Sequence, residues 1–295
     1  MLNWFHAKGD IDTLIARKQY SKALRLLEHR LDEDPDNIRT RQQLADVLGR
    51  RGDTERAVEV LLPVVDVYAN QGFQAKAIAV LKKIERLAPE KHNMVQKLAM
   101  MLERKETRPS SVPLIRAHVD SAMERAPIGA NQMITSEVRP PDEWFEQAVD
   151  QGSDFQWSPI LEDFTKDELA TLIGGLKLLV KMPGAIIFGE GEPGDSVFIL
   201  ASGQVRVYRR NDVGLQLQLT VLREGDLFGE ASLLFDSPRT TTVTAAARCE
   251  LLELDRENFD RITRTSPRVR ERLERLYEKR CARGLELPPQ TEARN

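Results

Sequence analysis

Glu230 and Arg239 lie on either side of a short loop whose residue types could bind a phosphate group. A buried phosphate needs backbone N–H groups in a turn or at a helix start, together with at least one guanidinium group. Arg239 supplies the guanidinium, and the carboxylate of Glu230 could accept a hydrogen bond from a sugar hydroxyl. The small side chains of Ala231 and Ser232 leave the loop open to a ligand. These residues therefore predict a phosphate-binding loop.

Short apolar runs separated by glycine-rich turns precede this loop, from about residue 184 to residue 222. Strand-like runs that recur every 8–12 residues or so are typical of an all-β barrel or sandwich. The spacing predicts helices on both sides of it, at 166–181, 256–263 and 268–283. The loop would thus lie within a compact β-domain that fixes its two ends.

The first third of the chain has a helical period instead, with apolar residues three and four positions apart. Ala23 and Ala57 are 34 residues apart, and Ala77 follows after a further 20. A 34-residue step and small residues at helix contacts resemble tetratricopeptide repeats. One helix from about 54 to 70, interrupted by Pro63, would then belong to two successive repeats. An ordinary helical bundle remains the alternative.

Composition divides the 295 residues, of net charge −3, into about two domains of roughly 150 residues. Residues 106–156 carry four basic and nine acidic side chains, and five prolines lie between positions 109 and 141. That composition predicts a linker with short helices. The expected domains are helical repeats at 1–105, this linker at 106–156, the β-domain at 157–284 and a tail at 285–295. The fold class is α+β multidomain: an all-α helical-repeat solenoid, then a β-roll or jelly-roll barrel with flanking helices.

The segment from Phe228 to Val243 resembles the phosphate-binding cassette of cyclic nucleotide-binding domains. It reads Phe-Gly-Glu, then Pro-Arg, then three residues and Val, and glycine-containing turns at 191–195 and 224–226 agree with that family. The family includes the regulatory subunit of cyclic-AMP-dependent kinase, the catabolite activator protein and cyclic-nucleotide-gated channels. The resemblance implies that the ligand is cyclic AMP or cyclic GMP.

The resemblance also implies roles for particular residues. Glu230 would accept the ribose 2′-hydroxyl, and Arg239 would pair with the cyclic phosphate. Backbone N–H groups around Ser232 and Thr240 would complete the phosphate cradle. Thr240 follows the arginine, as in members that accept cyclic GMP, although a threonine there also suits a strand. The expected ligand-binding residues are Gly229, Glu230, Ala231, Ser232, Arg239 and Thr240 in the cassette, Val207, Leu219 and Val221 against the base, and Tyr277 on a C-terminal lid helix.

Each of these roles has a structural alternative. Glu230 and Arg239 could form an ion pair in a cassette that has lost its ligand. Val207, Leu219 and Val221 could be plain barrel core, and the residue covering the base on the lid helix is not fixed by the sequence.

Several function classes are not expected. Two cysteines cannot form a disulfide framework, and four histidines without cysteines at ligand spacing predict no metal site. No apolar run approaches the roughly 18 residues of a membrane span, and no signal peptide is visible, so the expected location is cytoplasmic. About 12 residues after Arg283 are too few for a DNA-reading domain, so no DNA partner is expected. No catalytic motif is present, so we expect no catalytic residues and no enzyme activity.

The sequence therefore predicts a cyclic-nucleotide sensor and adaptor. Ligand binding would close the lid helix, and the linker would pass the change to the repeats, whose groove would bind a protein partner. The alternatives are a ligand-free scaffold that serves docking or formation of a homodimer, and a receptor for a cyclic dinucleotide.

Overall fold

The two ends of the chain differ in secondary structure, as the change in apolar spacing predicts. A computed structural model describes residues 6–89, 93–106, 165–211 and 213–282. Within these residues the first part is helical, and the second consists of two antiparallel β-sheets with flanking helices. The tail predicted at 285–295, and the linker predicted at 106–156 except for its first residue, lie outside the described residues.

Six described helices make up the first part. They are α1 (His6–Ala16), α2 (Tyr20–Glu33), α3 (Ile38–Arg51), α4 (Thr54–Gln71), α5 (Gln74–Leu87) and α6 (Asn93–Glu106). Gly52 and Gly72 end α3 and α4 with φ angles of 91° and 87°, a left-handed conformation that only glycine adopts without strain. The helix α4 contains Pro63, so the long helix expected at 54–70 is present with its proline inside.

Consecutive helices from α1 to α5 pack against one another. Ala23 on α2, Ala57 on α4 and Ala77 on α5 are each fully buried. Their methyl side chains let neighbouring helices approach closely, which is the role that their spacing predicts. Leu27 and Leu81, one turn further along α2 and α5, are also fully buried and fill the space beside them.

The second part follows the order helix, strands, helix, strands, helices. Its elements are α7 (Lys166–Gly175), β1 (Lys177–Lys181), β2 (Ile186–Phe188), β3 (Ser196–Ser202), β4 (Val205–Arg210), β5 (Gln216–Leu222), β6 (Leu227–Phe228), α8 (Glu230–Phe235), β7 (Thr242–Ala245), β8 (Cys249–Asp255), α9 (Arg256–Thr265) and α10 (Arg268–Ala282). One sheet has the order β1-β8-β3-β6 and the other β2-β7-β4-β5, with antiparallel neighbours throughout. This arrangement is typical of a jelly roll.

The helix predicted at 166–181 is wrong in its second half. It begins as expected, because the Thr165 side chain accepts the backbone N–H of Glu168 and the Glu168 side chain accepts that of Thr165. It ends at Gly175, and the next residues form β1, which pairs with β8 along its whole length. The run of apolar residues in β1 has no clear period of its own, so long-range pairing with β8 decides its structure.

The strands bury two different apolar clusters. The smaller lies between the two sheets and includes Phe188, Phe198 and Phe228. The larger runs without interruption from the N-terminal helices, through Leu252 on the other face of β8, to Phe259 on α9. Side chains alternate along a strand, so β8 contributes to both clusters. The N-terminal helices and the β-domain therefore share one hydrophobic core.

Candidate nucleotide-binding site

The cassette connects β6 to β7. Gly229 follows β6 in the left-handed conformation, with φ 83°, and the short helix α8 begins at the next residue. A Cβ atom at Gly229 would lie 2.7 Å from Nη1 of Arg239, so a larger residue would displace the guanidinium group. Glycine at this position thus allows the backbone to pass directly beside the arginine.

The Arg239 side chain is buried at the base of the cassette, with 5% of its surface exposed. Its Nη1 donates hydrogen bonds to the carbonyl oxygens of Ser196 and Gly229, at 2.8 and 2.7 Å. Its Nη2 donates to Ser196 Oγ at 3.0 Å. The guanidinium carbon lies 4.2 Å from the ring centroid of Phe188, a cation–π contact that holds the plane of the group.

The third nitrogen of the guanidinium group, Nε, is buried and its N–H has no hydrogen-bond partner among the described residues. A Cβ atom built on Gly194 would lie 2.6 Å from this Nε and 2.6 Å from Cβ of Ser232. The absence of a side chain at Gly194 therefore lets its backbone pass close to the guanidinium group and to Ser232, where a larger residue would clash. A buried donor without a partner is costly, so an acceptor from a ligand would satisfy it.

The guanidinium group of Arg239 stays charged although it is buried. Burial lowers the pKa of Arg239 below its ordinary value, while the carboxylates of Asp195, Glu253, Glu230 and Glu192 act in the opposite direction. Arginine is not deprotonated in proteins, so a positive charge is present in the cavity at any physiological pH.

A cavity opens between the cassette and the sheet β2-β7-β4-β5. Six of the ten predicted site residues line it: Val207, Gly229, Ala231, Ser232, Arg239 and Thr240. One wall is apolar and the base carries the arginine with hydroxyl and backbone groups. An apolar wall and a few converging polar groups are typical of a small-molecule site.

Glu230 is the first residue of α8 and is fully buried. It lies between Gly229 and Ala231, which both line the cavity, but it is not itself one of the lining residues. Its charge partly opposes the lowering of the Arg239 pKa by burial. The predicted contact of its carboxylate with a ribose hydroxyl remains a prediction.

Leu219 and Val221 are not among the residues that line the cavity, and their predicted contact with the base remains a prediction. Val207 on β4 lies opposite Thr220 on β5, so these two side chains share the cavity face. Because side chains alternate along a strand, Leu222 joins them there and Val221 points to the other face, while Leu219 lies where the register between β4 and β5 shifts. Each of the latter two is 36% exposed.

Tyr277 on α10 is buried but does not line the cavity. Its ring centroid lies 4.8 Å from that of Phe235, the last residue of α8. The tyrosine thus contacts the cassette helix, and its predicted role as a cover for the base remains a prediction.

Sequence reasoning missed the residues that support the arginine. Phe188 on β2 lines the cavity and contacts the guanidinium group with its ring, and Ser196 at the start of β3 accepts hydrogen bonds from that group. Each lies next to a glycine-containing turn that the sequence does mark. The contact between these turns and Arg239 spans 43 or more residues and leaves no local pattern.

Among the described residues, no group of three potential metal ligands and no helix long and apolar enough to cross a membrane is found.

Residues 180–266 match the family model of the cyclic nucleotide-binding domain, and residues 14–79 match that of the tetratricopeptide repeat. The regulatory subunit of cAMP-dependent protein kinase from Yarrowia lipolytica is 36% identical over 104 residues, which are 35% of this chain and 27% of that protein. The cyclic AMP receptor protein of Thermus thermophilus is 32% identical over 141 residues, 47% of this chain and 65% of that protein.

Among solved structures, the crystal structure of the Thermus thermophilus catabolite activator protein aligns with a TM-score of 0.40 and 29% identity. That alignment covers 43% of this chain and 59% of the other. The chain thus spans between about a quarter and two thirds of the length of the two curated relatives above. The chain carries a cyclic nucleotide-binding domain, preceded by a tetratricopeptide repeat region.

Proposed function

We propose that this protein is a cyclic-nucleotide sensor, in which a nucleotide bound in the cavity controls protein binding by the N-terminal repeats. The observation that carries the proposal is the buried Arg239 side chain, which lines the cavity and whose Nε has no hydrogen-bond partner among the described residues. A cyclic phosphate would supply both the missing acceptor and a negative charge. Two relatives named for cyclic AMP support this ligand class.

The residues of the cavity fit the parts of a cyclic nucleotide. Arg239 and backbone N–H groups near Ser232 would hold the phosphate, and Glu230 would hold the ribose. The base would lie against Val207 and Leu222, which both line the cavity, while Leu219 and Val221, also predicted from the sequence, are not among its lining residues.

Thr240 lines the cavity. Its hydroxyl could form a hydrogen bond with the amino group of guanine, which adenine lacks at that position. We therefore expect cyclic GMP to be accepted together with cyclic AMP. One net hydrogen bond is worth about 0.5–1.5 kcal/mol, so Thr240→Ala would weaken cyclic GMP relative to cyclic AMP by roughly two- to tenfold.

The helical repeats would form a solenoid whose groove binds a peptide or a helix of a partner protein. The protein would then be a receptor and adaptor in the cytoplasm, with no reaction of its own. Its output would be the change in affinity for that partner when the nucleotide binds.

Calorimetric titration of the full chain with cyclic AMP, cyclic GMP and a cyclic dinucleotide tests this proposal. Arg239→Ala removes the charged donor, which costs at least about 2 kcal/mol and weakens binding by about 30-fold or more. Arg206→Ala is the matched control, because Arg206 precedes Val207 on β4 and is exposed on the other face. The proposal would be refuted if the wild type bound none of the nucleotides, or if Arg239→Ala and Arg206→Ala bound them with equal affinity.

A second measurement tests the adaptor role. A peptide selected for binding to the ligand-free protein should change its affinity when cyclic AMP is added to the wild type, but not when it is added to Arg239→Ala. A peptide affinity that is indifferent to nucleotide in the wild type would favour a scaffold without regulation.

A further inference from the structure

The helix α5 of the repeat region packs directly on the nucleotide-binding domain. It contacts β1, β3 and β8 of the sheet β1-β8-β3-β6, and its apolar residues belong to the core that this sheet shares with the N-terminal helices. Two ion pairs cross the contact: Lys83–Glu250 at 2.7 Å and Lys76–Glu224 at 2.6 Å. The nucleotide domain is therefore supported on this side by the repeat region.

Glu224 lies in the turn that leads into the cassette. This turn, residues 223–226, connects the end of β5 to the start of β6. Leu222 immediately precedes it and Phe228 follows it by two residues, and both line the cavity. A displacement of the turn would therefore move two walls of the nucleotide site.

The turn is tied to its surroundings on both sides. Toward the sheet, the N–H of Gly225 donates to the carbonyl oxygen of Leu200 at 2.8 Å, and the N–H of Leu200 donates to that of Asp226 at 2.8 Å. The carboxylate of Glu224 makes a contact in each direction. One oxygen accepts from Lys76 Nζ of the repeat region, and the other accepts from the N–H of Gly203 in the β-domain at 3.3 Å. Glu224 thus connects α5 to the turn between β3 and β4.

Lys76 is itself held in place. Its ammonium group lies 5.0 Å from the ring centroid of Phe73 and 5.7 Å from that of Tyr68, so two aromatic rings restrict it. Its side chain is 23% exposed, against 38% for Glu224. A restricted and partly buried cation loses less entropy on pairing than a surface lysine, so this pair is stronger than an average surface ion pair.

We infer that Lys76 of the repeat region is a positioning residue of the nucleotide site: through Glu224 it fixes the turn 223–226 and thereby Leu222 and Phe228. The inference rests on the proposed function for its ligand. It gives the repeats and the nucleotide a direct route of communication across α5, whereas the sequence alone led us to expect the linker. Because coupling is reciprocal, the nucleotide would stabilise the docking of α5 as much as docking favours the nucleotide.

Cyclic AMP titration of the full chain tests the inference in the variants Lys76→Met, Lys76→Arg and Glu224→Gln. Loss of the pair should weaken binding by roughly three- to fivefold, and the double variant Lys76→Met with Glu224→Gln should be no weaker than either single variant. Lys76→Arg keeps both the ion pair and the aromatic contacts, so it should retain wild-type affinity. Arg56→Met is the matched control, because it removes an ion pair with Glu28 within the repeats.

Hydrogen exchange of the ligand-free protein separates this inference from the proposed function. Lys76→Met should speed exchange of the amides of residues 223–228, and Arg56→Met should not. Unchanged exchange in this turn, or unchanged cyclic AMP affinity in Lys76→Met when the wild type binds, would overturn the inference. If the wild type binds no nucleotide while exchange in the turn responds to Lys76→Met, the proposed function fails, and with it the role of Lys76 in a nucleotide site.

Discussion

Lys83 on α5 and Glu250 on β8 form an ion pair in the core between the helical repeats and the nucleotide-binding domain. The two side chains are 5% and 7% exposed, and Nζ lies 2.7 Å from Oε1. Arg248, which is 46% exposed, contacts the same oxygen at 2.8 Å. Replacing Lys83 by methionine would keep the apolar stem but leave a buried carboxylate with only this outer partner.

The expected cost follows from that geometry. Removing one partner of a buried pair costs about 3–5 kcal/mol, because the remaining charge is desolvated without compensation. Since Arg248 stays in contact with Glu250, we expect a cost slightly below this range, about 2–3 kcal/mol, for Lys83→Met. For a unit of about 200 residues that lowers the Tm by about 4–12 °C.

The double variant Lys83→Met with Glu250→Leu provides the sharper test. Replacement of a buried pair by apolar side chains is often neutral or stabilising. Arg248 is partly exposed and can turn to water. The free energy of unfolding of the double variant should therefore lie within about 1 kcal/mol of the wild-type value, although each single change is destabilising.

Urea unfolding followed by circular dichroism measures these free energies, provided that the transition is single. Arg56→Met is again the control, because the Arg56–Glu28 pair is 52% and 42% exposed and is worth less than about 1 kcal/mol. The reasoning is refuted if Lys83→Met is as mild as this control, or if the double variant is as unstable as the sum of the single ones.

Two further predictions concern pH and the cavity. Burial opposes ionisation of Glu250, but Lys83 and Arg248 outweigh it and hold the pKa of this carboxyl below its ordinary value. Its stabilising contribution is therefore complete above a pH of about 4.3 and is lost as pH falls through the lowered pKa, so the free energy of unfolding should fall less steeply with acid in Glu250→Gln than in the wild type. Gly194→Ala would place a methyl group 2.6 Å from Arg239 Nε, so cyclic AMP titration should show weaker binding, whereas Gly174→Ala, with nothing within 4 Å, should bind as the wild type does.

The sequence predicts the cassette well because its determinants are local. Gly229 must be a glycine for its left-handed backbone, and Arg239 returns to it from ten residues away. The choice between Leu219 and Thr220 as cavity residues depends on the register between β4 and β5, which is irregular after Val207. A one-residue shift exchanges the two faces of a strand, so β-propensity alone could not decide it.

The contact of α5 with the sheet was hidden for another reason, since Lys83 and Glu250 are 167 residues apart. One sign of it was present in the sequence, however. An amphipathic helix at the edge of an array buries the side chains of one face only. In α5 the face that contains Ala77 is buried, and Ala75, Ile78 and Ala79 on its other sides are buried as well. A helix that is small or apolar on nearly all sides needs partners on nearly all sides. Neighbouring helices of the repeats supply some of them, and the nucleotide-binding domain supplies the rest. Gln74 and Lys83 are the two polar residues that are buried on this otherwise apolar helix. They are buried because the repeats and the nucleotide-binding domain together enclose α5, and Lys83 pairs with Glu250 on β8.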